Sequence, residues 1–245
     1  MSGRTRYPAK RDPFSSHSLI AGELRGLARR RHAAGMARLL VVDAGCGSGP
    51  IAELIGIEPL SVVGFDSDEV GLAVARQHGT LAVAANMREG TLPALLQSAD
   101  VLVCADVLEH FQDPGQLLQR LMARYLAPGG TVIISVPNVA HVYVRMQLAM
   151  GRWDYTERGI LDRTHMRFFT RRSARALLDE AGVVSQRELA TPIPLPVVNP
   201  AFASDRSLYW IHALSAAVTR LWPSLLSYQY VFIATWRGHD RAAAG

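Results

Sequence analysis

From residue 38 onward, short continuous apolar runs alternate with segments whose apolar positions recur every three or four residues. The first pattern predicts strands buried on both faces, the second helices with one covered face. Strands are expected at RLLVVDAG (38–45), SVVGFD (61–66), TLAVAAN (80–86), ADVLVCAD (99–106) and TVIISVPN (131–138). Helices are expected between them at PIAELIGI (50–57), DEVGLAVARQHG (68–79), TLPALLQSA (91–99) and DPGQLLQRLMARYLAPGG (113–130). The alternation breaks after Pro137, where residues 138–170 are rich in aromatic, Arg and His side chains. A helix RRSARALLDEAG (171–182) follows, with Gly182 as its C-terminal cap, and then a sixth strand VVSQRELA (183–190). A Pro-rich connector, TPIPLPVVNP (191–200), leads to an amphipathic helix over 208–221 and a last apolar strand YQYVFIATW (228–236). Alternating strands and helices imply an α/β domain with a parallel sheet covered by helices, which binds ligands beyond the carboxyl ends of its strands.

The turn after the first strand, DAGCGSG, places Gly45, Gly47 and Gly49 at alternate positions behind Asp43. Such a backbone permits positive φ and close approach of a ligand. A P-loop would need a Lys here, and a dinucleotide fingerprint would need glycine where Pro50 stands. An acid just before the turn would repel a pyrophosphate. The pattern therefore favours a nucleoside cofactor with a cationic or zwitterionic end.

The chain has 245 residues, about half of them hydrophobic, enough for one core. No apolar run approaches the roughly 20 residues of a membrane span, and the first residues lack the apolar core of a signal peptide. The two cysteines, Cys46 and Cys104, have no spacing that suggests a metal cluster. A soluble protein of a reducing cytoplasm is the expectation. The net charge of +5 is concentrated at the front, where residues 1–38 hold nine Arg or Lys against Asp12 and Glu23. Residues 1–37 are read as a basic arm, disordered or partly helical, whose Leu24, Leu27 and Ala28 are spaced to pack on the core. The main domain is expected over 38–236 and a disordered tail over 237–245.

The strand ends supply a constellation: Asp66 after the second strand, Asn86 and Met87 after the third, Asp106 after the fourth. With VVDAGCGSG, VVGFDSD, ADVLVCADVLEHFQDP and LAPGGTVIISVPN in this order and spacing, the chain resembles the class I S-adenosylmethionine-dependent methyltransferases over about residues 38–138. The resemblance implies a Rossmann-like, doubly wound sheet of seven strands, the last antiparallel, with a lid insertion after strand five and a helical insertion over 191–224 before the last strand. It implies that Gly45, Gly47 and Gly49 pass under the methionine part of S-adenosyl-L-methionine, that Asp43 lies near its ammonium, that Asp66 holds the ribose, and that Asn86, Met87 and Asp106 complete the cofactor site. The segment 138–170 is similar to the corresponding segment of a bacterial branch associated with glycan biosynthesis, including sugar O-methyltransferases. That segment would be the acceptor lid. Trp153 and Tyr155 could stack on a sugar, with Asp162, Arg163, His165 and Arg167 binding its hydroxyls.

The methyl group on a sulfonium is already activated, so the acceptor hydroxyl needs positioning and a destination for its proton. His110, His141, His165 and Asp106 are the candidate bases. Strand four ends in ADVLEH, where amino methyltransferases of nucleic acid carry an Asn/Asp-Pro-Pro-aromatic run, so an oxygen acceptor is preferred and nucleic acid disfavoured. Asp106, Glu109 and His110 stand at i, i+3 and i+4, similar to the acid-x-x-Glu-His run of metal-dependent quinone O-methyltransferases. If the following helix begins by Asp106, the three converge on one face and could hold a divalent cation, Mg2+ by preference. The leading expectation is methylation of a sugar or glycan hydroxyl, of a mannoside or a lipid-linked saccharide for example, in polysaccharide biosynthesis. The alternative is a quinone or polyketide-like acceptor, and a third reading is a nucleic-acid partner held through the basic arm. A homodimer is the oligomer to test.

Overall fold

Seven strands and ten α-helices make up the computed structural model over its described residues, 12–90, 92–94 and 98–238. The element order is α1 (Ser16–Ala33), β1 (Leu39–Ala44), α2 (Pro50–Ile55), β2 (Leu60–Asp66), α3 (Glu69–Gln77), β3 (Thr80–Ala84), β4 (Ala99–Ala105), a single 3-10 turn (Leu108–His110), α4 (Pro114–Tyr125) and β5 (Leu126–Pro137). Then come α5 (Val142–Ala149), α6 (Arg171–Glu180), β6 (Val183–Thr191), α7 (Leu195–Val198), α8 (Ala201–Ser204), α9 (Arg206–Leu221), α10 (Pro223–Leu226) and β7 (Gln229–Trp236). All strands lie in one sheet in the order β3-β2-β1-β4-β5-β7-β6. Pairs from β3 to β5 are parallel, while β7 runs antiparallel between β5 and β6. This is the expected doubly wound α/β architecture.

The continuous apolar runs work because alternate residues feed two layers. Val42, Leu102, Val132 and Ile134 join Leu117, Leu118, Leu121 and Leu178 on one face of the sheet. Their neighbours Val41, Val101, Val103 and Ile133 join Ile20, Leu24, Ile51 and Ile55 on the other. Each such side chain, removed from water, contributes roughly 1.5–3 kcal/mol before entropy is charged against it.

Part of the basic arm belongs to this second layer. α1 starts at Ser15, whose Oγ accepts from the Ser18 N–H, and it buries Ile20, Ala21, Leu24 and Ala28 completely. Residues 1–11 and 239–245 lie outside the described residues, and with them most of the expected tail.

Boundaries differ from expectation in three places. The helix expected over 91–99 is not formed at Leu92–Ala94, and Leu95–Gln97 lie outside the described residues. The Pro93 carbonyl there accepts from Arg124 and Tyr125. The third strand stops at Ala84, leaving Asn86 and Met87 in the loop beyond it. α4 ends at Tyr125, because Leu126 turns extended and opens a β5 longer than its apolar pattern suggested.

Candidate functional site

The chain winds outward from β1 to β2 and β3, then crosses back to β4, so the carboxyl ends of β1 and β4 diverge around a crevice. That switch point is where open α/β sheets bind ligands. The glycine turn leaves β1 on one side and Asp106 leaves β4 on the other.

Gly45 and Gly49 hold the turn tight. Gly45 has φ 77°, and a Cβ there would meet Val107 Cγ2 at 2.6 Å and Met87 Cε at 3.6 Å. Gly49 has φ 72°, caps the start of α2, and would bring a Cβ within 2.9 Å of the Ala75 Cα. Gly47 also has positive φ, but a Cβ on it would meet nothing within 4 Å, so its surface is the one open to a ligand. The two carboxylates behave differently. Asp43 is buried, and its pKa is pushed up to about 7 by loss of hydration and then by the charge of Asp66. Asp66 is half-exposed at the end of β2, where Oδ2 accepts from the Gly47 N–H and Oδ1 from the Asp68 N–H, each at 2.9 Å. One carboxylate therefore both fixes the glycine turn and faces the crevice beside it. The Asn86 side chain closes its own loop, accepting from Arg88 N–H at 3.0 Å and donating to Glu89 at 2.7 Å, while Met87 reaches the Gly45 turn.

Asp106 is the one non-glycine residue with positive φ, 56°, among the described residues. A backbone so strained persists only if its surroundings over-determine it. Here the Asp106 N–H donates to Ser135 O and Oγ, while Oδ1 accepts from Ser135 Oγ at 2.5 Å and from Gln229 Nε2 at 2.9 Å. Gln229 in turn accepts from Ser16 Oγ at 3.1 Å, which ties α1 to the mouth of the site. These partners stand 29, 123 and 213 positions apart in sequence, and no local signal announced Ser135, Gln229 or Ser16.

The helical face expected for Asp106, Glu109 and His110 is not formed. After the left-handed Asp106 only Leu108–His110 turns, and it turns as a 3-10 helix, which does not superpose i, i+3 and i+4. His165 from the lid takes the third place instead. One ligand atom from each of Glu109, His110 and His165 lies within 4.8 Å of the others. Glu109 is 1 % exposed, and its Oε1 lies 3.9 Å from His165 Nε2. Its backbone carbonyl accepts from the N–H groups of Met166 and Arg167, fastening the segment after α5 to the turn after β4. The two imidazoles meet edge to face at 4.9 Å. His165 Nδ1 lies 3.1 Å from the Ile160 carbonyl, and His110 Nδ1 lies 3.2 Å from the Thr164 carbonyl. A carbonyl only accepts, so both Nδ1 atoms carry hydrogen in the neutral rings and both Nε2 atoms keep their lone pairs. Burial lowers the pKa of His165, with His110 adding to the effect.

His141 is placed differently. It caps α5 by accepting the Tyr143 N–H on Nδ1 at 3.1 Å, and burial lowers its pKa to about 4. Its neutral ring carries the remaining proton on Nε2, which suits donation. The lid aromatics pack on themselves: Trp153 meets Phe168 at 5.2 Å and Tyr155 at 6.5 Å. Asp162 Oδ1 accepts from Thr164 N–H and Oγ1, Arg167 donates to the Gln112 carbonyl, and Arg163 pairs loosely with Glu157. Cys46 and Cys104 are free, buried thiols with pKa values raised by burial.

The fold matches known proteins. A family described as a methyltransferase domain matches residues 20–185, from within α1 to the start of β6. A ubiquinone biosynthesis O-methyltransferase of Pseudomonas paraeruginosa is 37 % identical over 110 residues, 43 % of this chain and 47 % of that protein. One from Acinetobacter baylyi is 31 % identical over 140 residues, 51 % of this chain and 58 % of that protein, so the chain spans about half the length of the curated relatives it matches. The magnesium protoporphyrin IX methyltransferase of Synechocystis PCC 6803, solved with bound SAH, shares the fold at TM-score 0.57 and 16 % identity, covering 89 % of this chain and 84 % of that one. A putative methyltransferase of Bacillus halodurans does so at TM-score 0.54 and 17 % identity, covering 89 % and 98 %. With the matched domain spanning most of the chain and the glycine turn seated at the switch point, the chain belongs to the class I S-adenosylmethionine-dependent methyltransferases.

Proposed function

We propose that this chain transfers a methyl group from S-adenosylmethionine to a phenolic hydroxyl of a quinone-type small molecule. The observation that carries the reading is the Glu109, His110, His165 cluster at the mouth of the crevice, with the His165 Nε2 lone pair available. In the step, the acceptor oxygen attacks the sulfonium methyl carbon, the C–S bond breaks as the C–O bond forms, and the acceptor proton passes to His165 Nε2. The products are the aryl methyl ether and S-adenosylhomocysteine. A phenol, with a pKa of about 10, surrenders its proton roughly 5–6 units more readily than an alcohol near water's 15.7, a difference of about 8 kcal/mol. An imidazole whose pKa burial has lowered suits the first acceptor and not the second.

On the cofactor side, Asp66 would take the ribose hydroxyls, the Gly47 surface the methionine part, Asp43 the ammonium, and Asn86 and Met87 the adenine. Asp106, anchored by Ser135 and Gln229, would orient the reacting groups from the β4 side. His141 serves as a cap, with its proton on Nε2, rather than as the base.

The ubiquinone-biosynthesis role of the matched relatives supports the quinone acceptor over the saccharide. Asp162 and Arg167, two of the groups that would bind a sugar's hydroxyls, are engaged by Thr164 and the Gln112 carbonyl instead. Two imidazoles and one carboxylate fit a borderline cation such as Zn2+ better than Mg2+, whose preference is for oxygen. Held by Glu109, His110 and His165, such an ion would supply a lowered pKa at an acceptor hydroxyl and would occupy the His165 lone pair, so it would replace His165 as the means of deprotonation. Metal analysis of the purified protein, with activity before and after chelation, tests that addition.

The reading itself is tested by incubating the protein with labelled methyl donor and two acceptor panels, polyprenylated catechols and lipid-linked saccharides. Label in the catechol ether supports it, and label only in saccharide overturns it.

A further inference from the structure

α9 is inside out. Its buried side is small or polar, formed by His212, Ala216 and Thr219, while its large apolar residues face away from the protein. Trp210, Ile211, Leu214, Val218, Leu221 and Trp222 are all exposed, Leu214 at 64 % and Leu221 at 85 %. At 100° per residue these six fall within one stripe about 120° wide, the signature of a helix that meets a second apolar phase. Single exposed apolar residues need no explanation; a continuous stripe of six does.

Charge selects the occupant. Between Thr191 and Tyr228 the sequence carries Arg206 and Arg220 at the two ends of α9 and a single acid, Asp205. That acid is committed to the helix cap, accepting from the Ser207 and Leu208 N–H groups. The basic arm joins the fold at the same place: Asp12 pairs with His212 at 2.9 Å, and Phe14 packs on His212 and Tyr209. Immediately before Asp12 the sequence holds Arg4, Arg6, Lys10 and Arg11 with no acid. An apolar stripe bounded by Trp and flanked by Arg, in a chain whose sequence is polybasic just before Asp12, is complementary to a bilayer surface rich in anionic phospholipid. A second copy of this chain would bring the same positive charge against itself. No helix among the described residues is long and apolar enough to cross a membrane, so the contact lies in the plane of the surface.

We propose that α9, with the basic segment preceding Asp12, docks this protein on anionic membrane surfaces. This holds whichever acceptor is methylated.

The test is cosedimentation of the full chain with vesicles of phosphatidylcholine alone and of phosphatidylcholine with phosphatidylglycerol, at low and high salt, with tryptophan emission recorded alongside. Binding to the phosphatidylglycerol vesicles at least tenfold tighter than to the neutral ones, weakened by salt and accompanied by a blue shift, is expected. Leu214→Glu with Leu221→Ser should reduce it at least tenfold, and removal of residues 1–11 should lower it and flatten its salt dependence. Unchanged S-adenosylhomocysteine affinity and circular dichroism certify the variants as folded, since the substituted side chains face outward. Equal binding by wild type and the double variant, or no binding to anionic vesicles, overturns the proposal. So does a dimer in sedimentation analysis that Leu214→Glu dissociates, which would assign the stripe to a second copy.

Discussion

The glycine turn shows most directly how single residues decide this site. Its spacing alone excluded a P-loop and a dinucleotide fingerprint, because those signals are local and depend on few positions. Gly45→Ala combines a positive φ with a 2.6 Å clash against Val107, so it should destabilise the fold by about 2–4 kcal/mol, read from urea unfolding. Val107→Ala in the same chain should recover part of that loss. Asp66→Ala removes a carboxylate that fixes the Gly47 N–H and would take the ribose, and it should weaken S-adenosylhomocysteine binding by about 2–3 kcal/mol in calorimetry. Unaltered affinity in a folded variant would take Asp66 out of the site. Asp43 carries the pH dependence. Its folded pKa of about 7 lies above the usual carboxylate range, so its contribution to stability is full below about pH 4 and is lost as pH rises through 7. Binding of an ammonium group runs the other way, because only the ionised carboxylate attracts it: affinity should rise about tenfold from pH 6 to pH 8, with proton release. Asp43→Asn should abolish both trends. His165→Gln should lower kcat by about two to four orders of magnitude with cofactor affinity unchanged. Asp106 marks the limit of what was legible. Its position at the strand end could be read, but its φ of 56° and its long-range anchors Ser135 and Gln229 could not.

Among elements, the central strands β1, β2, β4 and β5 were the most legible, because burial on both faces leaves an apolar run. Ends were less so. Whether Leu126–Gly130 closes α4 or opens β5 depends on pairing with a distant β4, and the helix expected at 91–99 is not formed at Leu92–Ala94. The turn after β4 had the largest consequence. An α-helical start would have joined Asp106 to Glu109 and His110, whereas the 3-10 turn releases Asp106 and lets the lid insert His165. The segment after β5 is tethered at Asn138, which is fully buried, accepts from the Ala140 N–H and donates to the Ser227 carbonyl at 2.8 Å. Asn138→Ala leaves those groups unpaired, at a cost of about 1–3 kcal/mol. Faster limited proteolysis between residues 139 and 170 should report it. In the wild type, cofactor plus acceptor should protect that segment more than cofactor alone, and equal cleavage in the two states would count against closure.

For the whole molecule, composition and charge bounded the class of protein but not its borders. The basic front of the chain reads as an arm because nine Arg or Lys stand there against two acids, yet α1 completes one face of the sheet and reaches Asp106 through Ser16 and Gln229. A chain trimmed to residues 34–245 would expose Ile20's and Leu24's partners on β1 and α2. It should lose its cooperative thermal transition, whereas removal of residues 1–11 alone should leave that transition in place. Acceptor chemistry was the least legible property, since the residues that decide it converge from strand four and from a lid with no periodic pattern. Its most direct test is a competition in which the purified chain, with labelled S-adenosylmethionine, is offered a polyprenylated catechol and a lipid-linked mannoside at equal concentration, and the product is resolved by NMR. The account expects the label in a methyl group bonded through oxygen to the aromatic ring, lost in His165→Gln. Label on the saccharide, or transfer to the ring undiminished in His165→Gln, would contradict it.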